Sequence, residues 1–149
     1  MTPLDTEQLA ALVAAKLQVV EILVRLGHRQ LDLIDAGDAA VLLKLLAAKQ
    51  TVLDQLQTLE RQLDPFRGQD PGERVWRTPA HRVQCQAQAD RCAALLSEAM
   101  ELEQQGEAAM VARRDAVAAA LAMAQSAADA RTAYAIEPTA IAASLQVEG

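Results

Sequence analysis

Apolar residues recur along the first 36 positions at alternating steps of three and four, and they do so twice. One set is Leu9, Leu12, Val19, Leu23, Leu26 and Leu33; a second, Val13, Leu17, Val20, Val24, Leu31 and Ile34, lies beside it. That spacing is the helical period, so it predicts a helix over about 4–36. One seam suffices for a two-stranded coil, whereas two adjacent seams predict a helix that touches two neighbours. Gly27 interrupts the middle at a modest cost in helix propensity.

The pattern stops at LIDAGDAAV. Gly37 suits the left-handed position just past a helix end, and Asp38 can accept from the free N–H groups of the next helix. A connection this short makes the flanking helices antiparallel neighbours; the alternative is one helix continuous through Gly37. Helix 2 is predicted over about 39–63, with a seam of Leu42, Leu45, Val52, Leu56, Leu59 and Leu63. Lys49 occupies one seam position, and Leu46 and Leu53 widen the face. Pro65 is expected to end it, because the residue before a proline avoids the helical region.

A third helix restarts with Thr78 as cap and Pro79 in the first turn. It is predicted over about 79–134, roughly 80 Å at 1.5 Å per residue. Cys92, Leu95, Leu96, Ala99 and Leu102 face a core in its first half. From Gly106, the expected place for a kink or break, the seam continues as Met110, Arg113, Val117, Ala120, Ala124, Ala127, Arg131 and Tyr134. This second half is Ala-rich, so its contact face is shallow. Residues 135–149 have weak periodicity and a proline and read as a flexible C-terminal tail, whose Ile136, Ile141, Leu145 and Val147 could order on a partner. The pattern therefore predicts an all-α fold, an antiparallel helical bundle or coiled coil of three helices with a long third helix, as one domain over 1–134. Helix 3 is about as long as the first two end to end, so a hairpin of those two cannot cover it. Its uncovered apolar face calls for a second copy or another protein.

Composition narrows the partner. The net charge of −6 argues against nucleic acid, which demands a basic face, and against an anionic membrane surface. Hydrophobic residues make up 52% of the chain but aromatics only 2%, too few for a stacking platform. No apolar run approaches the roughly 20 residues of a membrane span, and the start MTPLDTEQ lacks a basic n-region, so no membrane insertion or signal peptide is expected. If Cys85 and Cys92 share a helix they stand about 10 Å apart, too far to bridge within one chain. A cytoplasmic protein is the simplest reading.

Catalytic patterns are missing from the sequence: there is no phosphate-cradling Gly-rich loop, nucleophile elbow or paired CxxC. His81, Cys85 and Cys92 fall near one helical face, but they lack the fourth ligand of a structural zinc site, and small cysteines filling seam positions explain them better. No enzyme activity, cofactor or metal is expected. The stretch DPFRGQDPGERVWRTP, Asp64 to Pro79, holds the only Phe, the only Trp and three of the five prolines. Arg67, Arg74, Arg77 and Arg82 around Trp76 could form an anion or aromatic-binding surface. The favoured reading is a connector whose Phe66 and Trp76 plug the open end of the bundle, with Asp64, Asp70 and Glu73 offsetting the arginines. Lys49 and Arg113 lie in apolar seams, where they either pair with acids across the interface or extend their heads into water.

The run LDLIDAGDAAVLLKLLAAKQTVLDQLQTLERQL resembles the FlgN family of flagellar secretion chaperones. The shared features are an early helix, the acidic turn at Asp38, the leucines at 42, 43, 45 and 46, Lys49, then Leu53, Leu56, Leu59 and Glu60. The resemblance covers about residues 5 to 64, and the third helix by length and character only. It implies a small cytoplasmic chaperone without a cofactor that binds hook–filament junction proteins, covers the terminal helices through which they polymerise, and delivers them to the export gate. In that family the partner contact lies toward the C-terminal helix, which maps here to Met110, Val117, Leu121 and Met123. A tyrosine near the C-terminus can serve at the export gate, and Tyr134 is the only tyrosine. The competing reading is a structural coiled coil that pairs only with itself, as a homodimer without a client.

Overall fold

A computed structural model describes residues 2–148, with side chains for all of these except Leu4 and residues 136–148. Three α-helices, α1 (Pro3–Ala36), α2 (Ala39–Arg67) and α3 (Pro79–Glu148), account for nearly all of it; a 3₁₀ turn at Pro71–Glu73 is the only other regular element among the described residues. The fold is all-helical, as the periodicity requires. The chain divides into two units, Met1–Ala109 and Met110–Gly149.

The first unit is an up-down-up bundle built around α1. Thr2 opens α1 with a capping box: its side chain accepts from the Asp5 N–H, and the Asp5 carboxylate accepts from the Thr2 N–H at 2.8 Å. Gly37 ends it at φ 71°, ψ 21°, the left-handed conformation that glycine adopts without steric cost. The Gly37 N–H donates to Ile34 O and the Asp38 N–H to Leu33 O, which satisfies two carbonyls of the last turn. Asp38 then accepts from the Val41 N–H at 3.2 Å and caps α2. The helix continuous through Gly37 is thereby excluded. Leu33 and Ile34 pack on Leu42 and Leu45 at this end, while Leu9 and Val13 meet Leu63, Phe66 and Cys85 at the other, so α1 and α2 are antiparallel. Contacts from α1 to α3 advance together, from Val13 with Cys92 through Gly27 with Leu102 to Gln30 with Gly106, so α3 runs parallel to α1. Both predicted seams of α1 are used: Leu9, Leu23 and Leu33 are buried from one, Val13, Val20, Val24 and Ile34 from the other.

Three boundaries differ from the sequence expectation. Helix α1 begins at Pro3, one residue before position 4, because Thr2 supplies the cap. Helix α2 does not stop at Leu63 but continues through Pro65 to Arg67. A proline near the C-terminal end removes one ladder bond where carbonyls are already left open. Burial of Phe66 and the pairing of Arg67 with Glu60 and Asp64 hold this last turn in place. Helix α3 neither breaks at Gly106 nor ends at Tyr134; it runs on to Glu148, with the backbone helical across Pro138. Gly106 is buried and serves packing, since a Cβ there would meet Gln30 Nε2 at 3.1 Å. The tail side chains Ile136, Ile141, Leu145 and Val147 lie outside the described residues.

The connector after Arg67 closes the lower end of the bundle. Trp76 packs on the cluster of Leu9, Val13, Leu63, Phe66 and Cys85, edge-on to His81 with ring centroids 5.4 Å apart. The Thr6 hydroxyl is fully buried 2.7 Å from the Val75 carbonyl and 2.9 Å from that of Pro3, donating to one at a time. Arg74 Nη2 donates to Phe66 O at 2.9 Å, Arg77 pairs with Glu7 at 2.5 Å, and Asp70 accepts from the Gly72 N–H. Thr78 caps α3 by accepting from the His81 N–H at 3.1 Å. The stretch from Asp64 to Pro79 is a corner with a hydrophobic stopper, Phe66 and Trp76.

Candidate functional site

The second unit carries the predicted partner residues. Every described side chain from 110 to 135 is exposed, from 44% for Met110 to 76% for Tyr134 among its large apolar groups. Twelve of these 26 residues are alanine, so the helix stands on intrinsic propensity rather than on burial. As the continuation of a packed helix it needs no new nucleus.

Helical geometry sorts the five residues into two groups. At about 100° per residue, Met110, Val117 and Leu121 fall within about 40° of one another, whereas Met123 and Tyr134 lie on the other side of the helix. The sequence grouped all five, but they form two faces. On the first face Ala124 and Ala128 continue the apolar strip, and Arg113, Arg114 and Arg131 flank it within about 60°. Asp115 and Asp129 sit about 100–140° away, toward the back. Arg114 pairs with its neighbour Asp115 at 3.3 Å, a wholly exposed contact worth little in water. This apolar strip with basic edges did not emerge from the seam 110, 113, 117, 120, which is offset from it by part of a turn.

Concavities open among the described residues of the first unit. One, of about 320 Å³, lies between α2 and α3, with Leu23 beneath and Leu53, Leu56, Leu96, Ala99 and Met100 around it. At its end Lys49 pairs with Glu103 and donates to Gln30 Oε1 at 3.0 Å. The seam lysine thus finds a partner acid across the helix interface, one of the two outcomes expected for it. Gln30, buried beside Gly106, completes this polar layer; its role was not legible from a glutamine in an otherwise polar run. Two smaller cavities, about 160 and 200 Å³, share Leu9, Val13, Arg74 and Ala89 beneath the connector. Arg74 Nε is buried there without a partner among the described residues.

Titratable groups in the first unit have structural explanations. Burial pushes the Cys85 thiol up, with the Arg74 guanidinium opposing, and likewise raises Cys92, whose Sγ lies 3.9 Å from Val13 O. Raised thiols are poor nucleophiles and poor metal ligands. Among the described residues no group of three His, Cys, Asp or Glu is placed to hold a metal. Burial works to raise the Glu60 carboxyl, but hydrogen bonds from Lys16 and Arg67 outweigh it and hold Glu60 below its ordinary range. No described helix is long and apolar enough to cross a membrane. No protein-family model, curated protein or solved structure matches this chain.

Proposed function

We propose that this protein is a cytoplasmic export chaperone of the flagellar type. It binds helical segments of hook–filament junction proteins, prevents their premature assembly and delivers them for secretion; it is not an enzyme. The observation that carries the reading is the helix from 110 to 135, exposed at every described position yet presenting Met110, Val117 and Leu121 on one face. Small alanines beside flexible methionine and branched residues accept another amphipathic helix by shallow packing. The second face, with Met123 and Tyr134, leaves room for a separate contact at the export gate while the first holds the client. The resemblance of residues 5 to 64 to FlgN-type chaperones supplies the flagellar part of the proposal.

The test is affinity purification of the tagged chain from cells expressing flagellar genes, beside a Val117→Asp, Leu121→Asp double variant. A junction subunit should co-purify stoichiometrically with the parent chain and be lost from the variant, while circular dichroism shows unchanged helical content. Recovery of the chain alone, or collapse of the variant's whole fold, would contradict the proposal.

A further inference from the structure

The two clefts beneath the connector have apolar walls, formed by Leu9, Val13, Leu63, Phe66, Trp76 and Ala89. Their charged groups have one sign. Lys16 and Arg67 line the first, Arg82 lines the second and Arg74 lines both, while no acidic residue lines either. The acids around them are engaged elsewhere. Glu60 pairs with Lys16 at 2.6 Å and with Arg67, which Asp64 also meets; Glu7 pairs with Arg77 at 2.5 Å, and Asp90 accepts from Gln86 at 2.9 Å. Asp70 accepts from the Gly72 N–H, and Glu73 is exposed. Arg74 and Arg82 form no ion pair among the described residues. Arg74 is also half-buried: Nη2 donates to Phe66 O at 2.9 Å, but Nε is buried without a partner among the described residues. Buried donors are as a rule paired. The Cys85 thiol supplies no counter-charge, because burial pushes it up and keeps it protonated although the Arg74 guanidinium opposes this.

We propose that the clefts around Arg74 bind a small carboxylate with an apolar body. Its head accepts from the Arg74 Nε–H, a charge-assisted bond, and Arg82 adds to the attraction. Its body lies against Leu9, Val13 and Ala89, which line both clefts. At about 160 and 200 Å³ the clefts are smaller than the roughly 300 Å³ at which drug-sized sites begin, and an apolar cavity of about 150 Å³ holds a benzene ring. The ligand is therefore a short alkyl or single-ring acid. The chain's net charge of −6 repels anions in general, so binding of such an acid reports this local site and not the overall field. The site lies within the first unit and is independent of helix capture by 110–135.

The test is titration of the full chain with octanoate, read by calorimetry and by the fluorescence of Trp76, the only tryptophan, which lines one cleft. Octanoate should bind saturably, shift the emission and raise the melting temperature, because it binds the folded chain alone. Octanol, which lacks the charge, and inorganic phosphate, which lacks the apolar body, should each bind about tenfold or more weakly. Arg74→Gln should weaken octanoate by a similar factor. Ala89→Met fills the cleft and leaves Arg74 in place, so it should abolish binding with helical content unchanged; it decides the matter if Arg74→Gln does not fold. Absence of saturable octanoate binding to the parent chain would overturn the inference. So would equal binding of octanol or phosphate, or parental affinity in Ala89→Met.

Discussion

At the residue scale, two glycines on neighbouring helices have opposite tolerances. A Cβ at Gly27 would stand 3.0 Å from both Leu102 Cβ and Leu102 Cδ1, and a Cβ rooted in a packed helix cannot swing away. Overpacking of this kind costs about 1–3 kcal/mol, against a gain of about 1 kcal/mol from removing a helical glycine. Gly27→Ala should therefore lower stability by up to about 2 kcal/mol, read from the urea midpoint. At Gly106 the neighbour is the far end of a flexible side chain, Gln30 Nε2 at 3.1 Å, which need give by only a few tenths of an ångström. Gly106→Ala should be neutral or more stable by up to about 1 kcal/mol; a loss as large as that at Gly27 would mean Gln30 is locked by Lys49.

Glu60 makes a second prediction at this scale. Lys16 bonds it at 2.6 Å and Arg67 from the other side, so its carboxyl is more acidic folded than unfolded. A carboxylate with a depressed folded value stabilises fully above its ordinary value of 4.5, and that contribution is lost as pH falls through the folded value. Glu60→Gln should lower stability at neutral pH by about 1 kcal/mol or less given its partial exposure, seen as a lower melting temperature, and flatten the decline below pH 4.5. Parallel melting curves for parent and variant from pH 6 to pH 3 would show that the carboxylate contributes nothing.

At the element scale, what was legible depended on whether the cause lay within one helix. The two seams of α1 and the Gly37–Asp38 turn follow from local periodicity and backbone chemistry, and they appear where the pattern puts them. The end of α2 did not follow, because Phe66 gains burial only against Leu9, Val13 and Cys85 from other elements, and that packing outweighs the local preference against Pro65. Gly106 read as a breaker for the same reason: nothing near it in sequence reveals that Gln30 needs the space. The candidate face was half legible. Met110, Val117 and Leu121 stand out as large residues among alanines, but a seam stepped by threes and fours took in Met110, Arg113, Val117 and Arg131 and passed over Leu121 and Arg114. Since none of these side chains is buried, Val117→Asp with Leu121→Asp should change stability by no more than about 0.5 kcal/mol while removing helix capture.

At the scale of the whole molecule, the two units differ in what holds them. Residues of the first bury apolar groups from three helices and close both ends, with the Gly37 turn at one and the Phe66–Trp76 stopper at the other. Described residues of the second bury nothing and depend on helix propensity, so their amide protection should lie at the low end for this chain. A helix with that character gains most from a partner that covers one face. Hydrogen exchange on the full chain, diluted until it is a single chain and then saturated with a purified hook–filament junction protein, addresses this directly. Residues 110–135 should exchange rapidly alone and become protected with the partner, while 1–109 change little. Protection confined to 1–109, or no protection anywhere at saturation, would contradict capture of a client helix on this face.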